Sequence, residues 1–162
     1  MQVPNCNSTC PKQANQHWRV VPAILQLKLL SHLSLGNNRL TNITGAITIL
    51  MGSKNLSILI LAKNFLHEAM PTDDSLDGSD GFKSLRVLAL GGCQLTVQLP
   101  TWISKLKKLE ALDLTLNRIT GPIPGWLSTL PRLFSLDLSN NLISGEFPKE
   151  LLWIASIGIR TK

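Results

Sequence analysis

One hydrophobic frame recurs along this chain and restricts what it can fold into. Leu85-x-x-Leu88-x-Leu90-x-x-Cys93-x-Leu95 is followed by Leu109-x-x-Leu112-x-Leu114-x-x-Asn117-x-Ile119 and by Leu133-x-x-Leu136-x-Leu138-x-x-Asn141-x-Ile143, with the leading leucines 24 residues apart. The same internal spacing occurs earlier at Leu30-Leu33-Leu35-Asn38-Leu40 and at Leu56-Leu59-Leu61-Asn64-Leu66, so repeats begin at 30, 56, 85, 109 and 133. A fixed period of this length builds a solenoid. One turn cannot cover its own apolar side chains, and only stacking on neighbouring turns removes them from water.

Within each repeat the x-x-Leu-x-Leu segment reads as a short strand. Side chains alternate across a strand, so both leucines point into the coil and the residues between them point out onto a concave sheet. That face would present His32, Ser34 and Gly36, Ile58, Ile60 and Ala62, Val87, Ala89 and Gly91, Ala111, Asp113 and Thr115, then Ser135, Asp137 and Ser139. Its second and third turns are apolar, and its fourth and fifth are small and acidic. The candidate ligand-binding residues are therefore His32, Ser34, Ile58, Ile60, Val87, Ala89, Asp113, Asp137 and Ser139. Asn38, Asn64, Asn117 and Asn141, with Cys93 in the third repeat, form a ladder after the strands. An inward amide there can bond backbone groups left unpaired by the bend, each of which would cost about 1–3 kcal/mol if buried alone.

The second half of the repeat carries Gly121-Pro122-Ile123-Pro124 and Gly145-Glu146-Phe147-Pro148 at one offset. Gln98-Leu99-Pro100 and Ala69-Met70-Pro71 hold the same place without the glycine. Glycine admits positive φ and proline fixes φ, so these residues turn the chain toward the convex side. Trp102-Ile103…Leu106, Trp126-Leu127…Leu130 and Leu151…Ile154 then read as short helical turns resting on the core.

Together these residues spell L-x-x-L-x-L-x-x-N-x-L-x-G-x-I-P-x-x-L-x-x-L over residues 30–154, which resembles the plant class of leucine-rich repeat. The expected fold is an α/β solenoid with a parallel concave sheet and 3-10 or helical turns on the convex face. The stretches KNLSILILAKNF and LFSLDLSNNLISGEFPKEL are further similar to the ectodomains of plant receptor kinases for tyrosine-sulfated peptides. That resemblance implies a peptide ligand, a leucine-rich repeat co-receptor, and a place at the plasma membrane or in the apoplast. It also implies a signal peptide, a spanning helix and a kinase domain, none of which is visible here, so the chain reads as a piece of such an ectodomain.

Other features narrow the function. The net charge of +6 suits an acidic ligand such as a peptide sulfate. Apart from Lys105, Lys107 and Lys108 on a convex turn, the cations read as scattered over a solvated surface, and no aromatic-basic groove for nucleic acid accompanies them. Residues 151–159 are apolar but too short for a span, which needs about 20 residues. Cys6 and Cys10 are the candidate disulfide pair, although the related receptors use a wider spacing. A zinc site from Cys6, Cys10 and His17 lacks a fourth ligand, so no metal or other cofactor is expected. Asn7, Asn42 and Asn55 head N-x-S/T sequons and are the candidate glycosylation sites. The run from Thr72 to Asp80, with Asp73, Asp74, Asp77 and Asp80, reads as a solvated convex loop without calcium-loop spacing. No catalytic motif is present, and the aspartates Asp113 and Asp137 stand in one open column, so an enzyme is not expected.

The expected organisation is an irregular head (1–21), a solenoid (22–157) and a truncated tail (158–162). Without a cap the last turn would leave Leu151, Trp153, Ile154 and Ile157 exposed and favour weak self-association. Besides a receptor piece, two functions fit such a coil: a free-standing secreted decoy or inhibitor, and an ice-binding protein. The last would want regular ranks of Thr or Asn, and the exposed columns instead mix Ile, Ala, Asp and Ser.

Overall fold

The computed structural model describes residues 18–76, 81–154 and 156–158. The Cys6/Cys10 pair, the Asn7 sequon, His17, Asp77 and Asp80 lie outside the described residues.

Every expected strand forms, each three residues long: β1 (His32–Ser34), β2 (Ile58–Ile60), β3 (Val87–Ala89) and β4 (Ala111–Asp113). The two-residue β5 (Thr120–Gly121) comes next, then β6 (Ser135–Asp137), the two-residue β7 (Leu142–Ile143) and β8 (Ser156–Gly158). Strands β1, β2, β3, β4, β6 and β8 form one parallel sheet in that order. The register never slips, so Leu33, Leu59, Leu88, Leu112, Leu136 and Ile157 stand in one inward row. Leu59, Leu88, Leu112 and Leu136 are at most 1% exposed. Leu33 is only partly buried, because β1 has a neighbouring strand on one side only.

The convex side is built from 3-10 turns at Pro22–Gln26, Thr101–Lys105, Gly125–Thr129 and Lys149–Leu151. Pro100, Pro124 and Pro148 stand directly before the last three in extended conformation, where a missing N–H costs nothing. Within the acidic run, Asp73–Ser75 is itself a 3-10 turn, and Asp73 Oδ2 accepts from Thr101 N (3.1 Å) and Thr101 Oγ1 (2.5 Å) of the next repeat. Trp102 is buried, its Nε1 donating to Pro71 O at 2.9 Å.

Four features depart from the expected frame. The first repeat carries a true helix, α1 (Ile43–Met51), with Ile43, Ala46, Ile47 and Leu50 buried on one face. Its first turn is satisfied from two sides: the Asn42 side chain accepts from Gly45 N, and the Glu68 carboxylate accepts from Asn42 N (2.8 Å) and Ile43 N (2.7 Å). In the second repeat Leu66, expected in the core, is 53% exposed and Phe65 is fully buried in its stead. Phe65 turns inward through a left-handed backbone (φ 51°). A second parallel pair, β5 with β7, runs along the flank, and the bridges Trp18–Leu40 and Ala69–Thr96 link other turns in the same way. Finally, Leu151 and Ile154 are buried (0% and 6%), contrary to the expectation that they lie open. The turn Lys149–Leu151 packs on the turn Gly125–Thr129, so the exposed residues there are Leu152 and Trp153.

Candidate ligand-binding face

The unbroken register turns the outward residues of successive strands into columns. One runs His32, Ile58, Val87, Ala111, Ser135, and the next runs Ser34, Ile60, Ala89, Asp113, Asp137. All are exposed or partly exposed, so the expected ligand residues of five strands do share one surface. Ser139 departs from that pattern. It is only 8% exposed, because the chain has begun to bend toward the ladder, and it reaches solvent at the wall of a cavity.

That cavity lies at the end of the face nearest β8. It holds about 540 Å³ and is lined by Thr115, Leu116, Asp137, Ser139, Asn140, Ile157 and Gly158. Asp137 Oδ1 accepts from Ser139 N (3.0 Å), and Asp113 Oδ1 accepts from Thr115 N (2.9 Å) and Thr115 Oγ1 (2.8 Å). Each carboxylate is thus held by the residue two positions on, while Oδ2 takes no hydrogen bond among the described residues. This arrangement orients two anionic acceptors outward. Acceptors of this kind can receive a cation or an N–H group. Sequence reasoning did not single out Leu116 and Asn140. Their signal was their place directly before the ladder.

That place has its own geometry. Asn37, Lys63, Gly92, Leu116 and Asn140 all take positive φ, between 54° and 71°. The left-handed bend turns the chain off the sheet and aims the next side chain inward. Asn64 Nδ2 donates to Leu35 O, Leu61 O and Ala62 O, and its Oδ1 accepts from Asn38 N and Leu40 N. Asn117 and Asn141 repeat the pattern two and three turns on, each Oδ1 accepting from one N–H, of Leu95 and of Ile119. Cys93 is fully buried and free, and its Sγ lies 3.5 Å from Leu61 O, at the place of the ladder amide. Burial pushes its thiol pKa up. Asn38 is the exception: it is exposed, and among the described residues its side chain bonds only its own turn, through Leu35 O and Gly36 O.

The sequon residues Asn42 and Asn55 are both exposed. Asn42 caps α1, and Asn55 Nδ2 donates to Lys28 O at 2.7 Å. Among the described residues no cluster of His, Cys, Asp and Glu has the makings of a metal site, and no helix is long and apolar enough to cross a membrane.

Residues 83–143 match the family model for the leucine rich repeat. The fold is that of a plant-type leucine-rich repeat solenoid. Its similarity to Receptor-like protein 3 of Arabidopsis thaliana is 49% identity over 97 residues, covering 60% of this chain and 13% of that protein. Phytosulfokine receptor 1 of the same plant is 44% identical over 88 residues, covering 54% of this chain and 8% of the receptor. Among solved structures, the Arabidopsis receptor kinase HAESA, in complex with the peptide hormone IDA and the co-receptor SERK1, superposes with a TM-score of 0.71 at 30% identity. That match covers 85% of the solenoid and 22% of the HAESA chain. The solenoid therefore spans a small part of the length of these relatives.

Proposed function

We propose that this solenoid is the peptide-binding part of a plant cell-surface receptor ectodomain. It takes an extended, sulfated peptide across its concave sheet and offers the complex to a leucine-rich repeat co-receptor, without catalysis of its own. The observation that carries this reading is the pair of in-register columns, apolar at Ile58, Ile60 and Val87 and anionic at Asp113 and Asp137. An apolar segment of the ligand lies over turns two and three. Its amine or guanidinium reaches the free carboxylate oxygens near the cavity. The HAESA complex supports the partner classes, and likeness to a phytosulfokine receptor supports the sulfated ligand. The same likeness supports a cell-surface location, where the exposed Asn42 and Asn55 would carry glycans. Exposed Leu152 and Trp153, beside β8, would also support weak self-association.

The test is calorimetric titration with paired sulfated and unsulfated peptides. Ile60→Glu and the double change Asp113→Asn, Asp137→Asn should each weaken binding by about tenfold or more, the loss of one well-made contact region. Equal affinity of both variants and the parent would refute a ligand on these columns. Equal affinity for sulfated and unsulfated peptides would refute the sulfate.

A further inference from the structure

Six of the sixteen lysines and arginines fall into one row once the coil is formed. Each strand of the first five repeats is entered through a two-residue turn, and every one of these turns carries a cation: Lys28, Lys54, Lys83, the pair Lys107 and Lys108, and Arg132. Lys28, Lys54, Lys83 and Lys107 each precede the first residue of their strand by four positions, and Arg132 precedes Ser135 by three. Since the strands are in register, residues far apart in sequence stand one strand spacing apart, about 4.8 Å. The edge is rigid and repeats itself. Ser31 O, Ser57 O, Arg86 O and Glu110 O each accept from two successive N–H groups of the next repeat, Ser57/Ile58, Arg86/Val87, Glu110/Ala111 and Phe134/Ser135. All six cations are exposed and none of these turns contains an acid. Glu110 lies near Arg132 but is held in a bidentate pair by Arg86, at 2.9 and 2.8 Å.

We propose that this row is a docking ridge for an extended acidic polysaccharide bearing one carboxylate per sugar, separate from the concave ligand face. The geometry selects the partner. A single line of charges fits a chain better than a lipid surface, which would want cations spread over a plane. Phe134, beside Arg132, is the one exposed aromatic among the described residues of this edge, and a single ring gives stacked nucleic-acid bases no continuous platform. An extended peptide advances about 3.3–3.6 Å per residue and alternates its side chains, which falls out of step with a ridge repeating every strand. A pyranose ring with its linking oxygen advances by about one strand spacing, and because a linked uronate chain turns over from one residue to the next, alternate carboxylates of a polyuronate meet alternate turns in step with the ridge. Such a chain is stiff, and little conformational freedom is lost when it binds.

The test is surface-plasmon titration of the whole chain against immobilised oligogalacturonates of graded length, beside their methyl-esterified forms. Lys54→Gln, Lys83→Gln, Lys108→Gln together should weaken binding about tenfold, the scale of three exposed ion pairs. Lys105→Gln, Arg118→Gln, Lys149→Gln remove the same charge elsewhere and should stay within about twofold. Affinity should rise with length until the oligomer spans the five turns, and the esterified forms should not bind. Equal weakening by both triple variants, or equal binding of the esterified polymer, would overturn the proposal. So would oligothymidylate or phosphatidylserine vesicles binding as tightly, which would assign the ridge to nucleic acid or membrane. Circular-dichroism melts check both variants, and Lys83→Glu alone carries the test if the ridge triple fails to fold.

Discussion

The ladder asparagine of the fourth repeat offers a sharp test of how the coil is held. Asn117 is 6% exposed and serves four backbone groups. Its Oδ1 accepts from Leu95 N (2.9 Å), and its Nδ2 donates to Leu90 O (3.0 Å), Leu114 O (2.9 Å) and, more weakly, Thr115 O (3.2 Å). Asn117→Leu keeps the shape and removes all four bonds. Leu114 O would still receive Asn141 Nδ2 at 2.8 Å. Leu95 N and Leu90 O have no other partner among the described residues, and both belong to fully buried leucines. Two orphaned buried groups at about 1–3 kcal/mol each set a range of about 2–6 kcal/mol. Local relaxation and the added apolar surface reduce it, so a loss of about 3 kcal/mol is expected. Urea melts at 25 °C, read through the buried Trp102 indole, measure it. Asn117→Cys, the solution already used at Cys93, should lose less, because a thiol can still donate weakly toward Leu90 O. A cost below about 0.5 kcal/mol for Asn117→Leu would show that the ladder bonds are made equally well by water, and the account of the ladder would fail.

Three further outcomes are expected. Native Cys93 should resist thiol reagents until the chain unfolds, since burial both shields it and raises its pKa, and Cys93→Asn should fold normally; rapid labelling of the native protein would contradict the placement. Leu116 holds φ 54° while 56% exposed, so Leu116→Gly or Leu116→Asn should stabilise by about 1 kcal/mol, and an unchanged or lower melting midpoint would show that the left-handed strain is absent. Leu112→Ala should cost about 2–5 kcal/mol but Leu33→Ala distinctly less, because only the former is covered on both sides; equal costs in parallel urea melts would refute the end effect.

The core of this protein was legible because its determinants are local and periodic. Leucines at fixed spacing specify an inward row whatever the turns between them do, and the asparagine ladder and convex 3-10 turns follow from the same frame. Residues whose fate depends on a neighbouring turn were not legible. The helix Ile43–Met51 has local signals, the Asn42 cap and Ile43, Ala46, Ile47 and Leu50 at helical spacing, but the rest of its N-terminus is satisfied by Glu68 from the next repeat. Leu66 and Phe65 exchange places because a backbone bend, not hydrophobicity, selects which of two adjacent apolar side chains turns inward. Ser139 looks like its open-face neighbours in sequence but lies under the curve toward the ladder.

The amino-acid order by itself determined the period, and with it the solenoid, the inward rows and the outward columns. Only the tertiary structure decided which distant residues became neighbours. Stacking places residues 24 to 29 positions apart in the chain one strand spacing apart in space. That step sets Asp113 beside Asp137 and aligns the cations of five turns along one edge. Charge and hydrogen bonding act over distances of that order, so the surface chemistry of a coil is read across its turns, while its core is read along them.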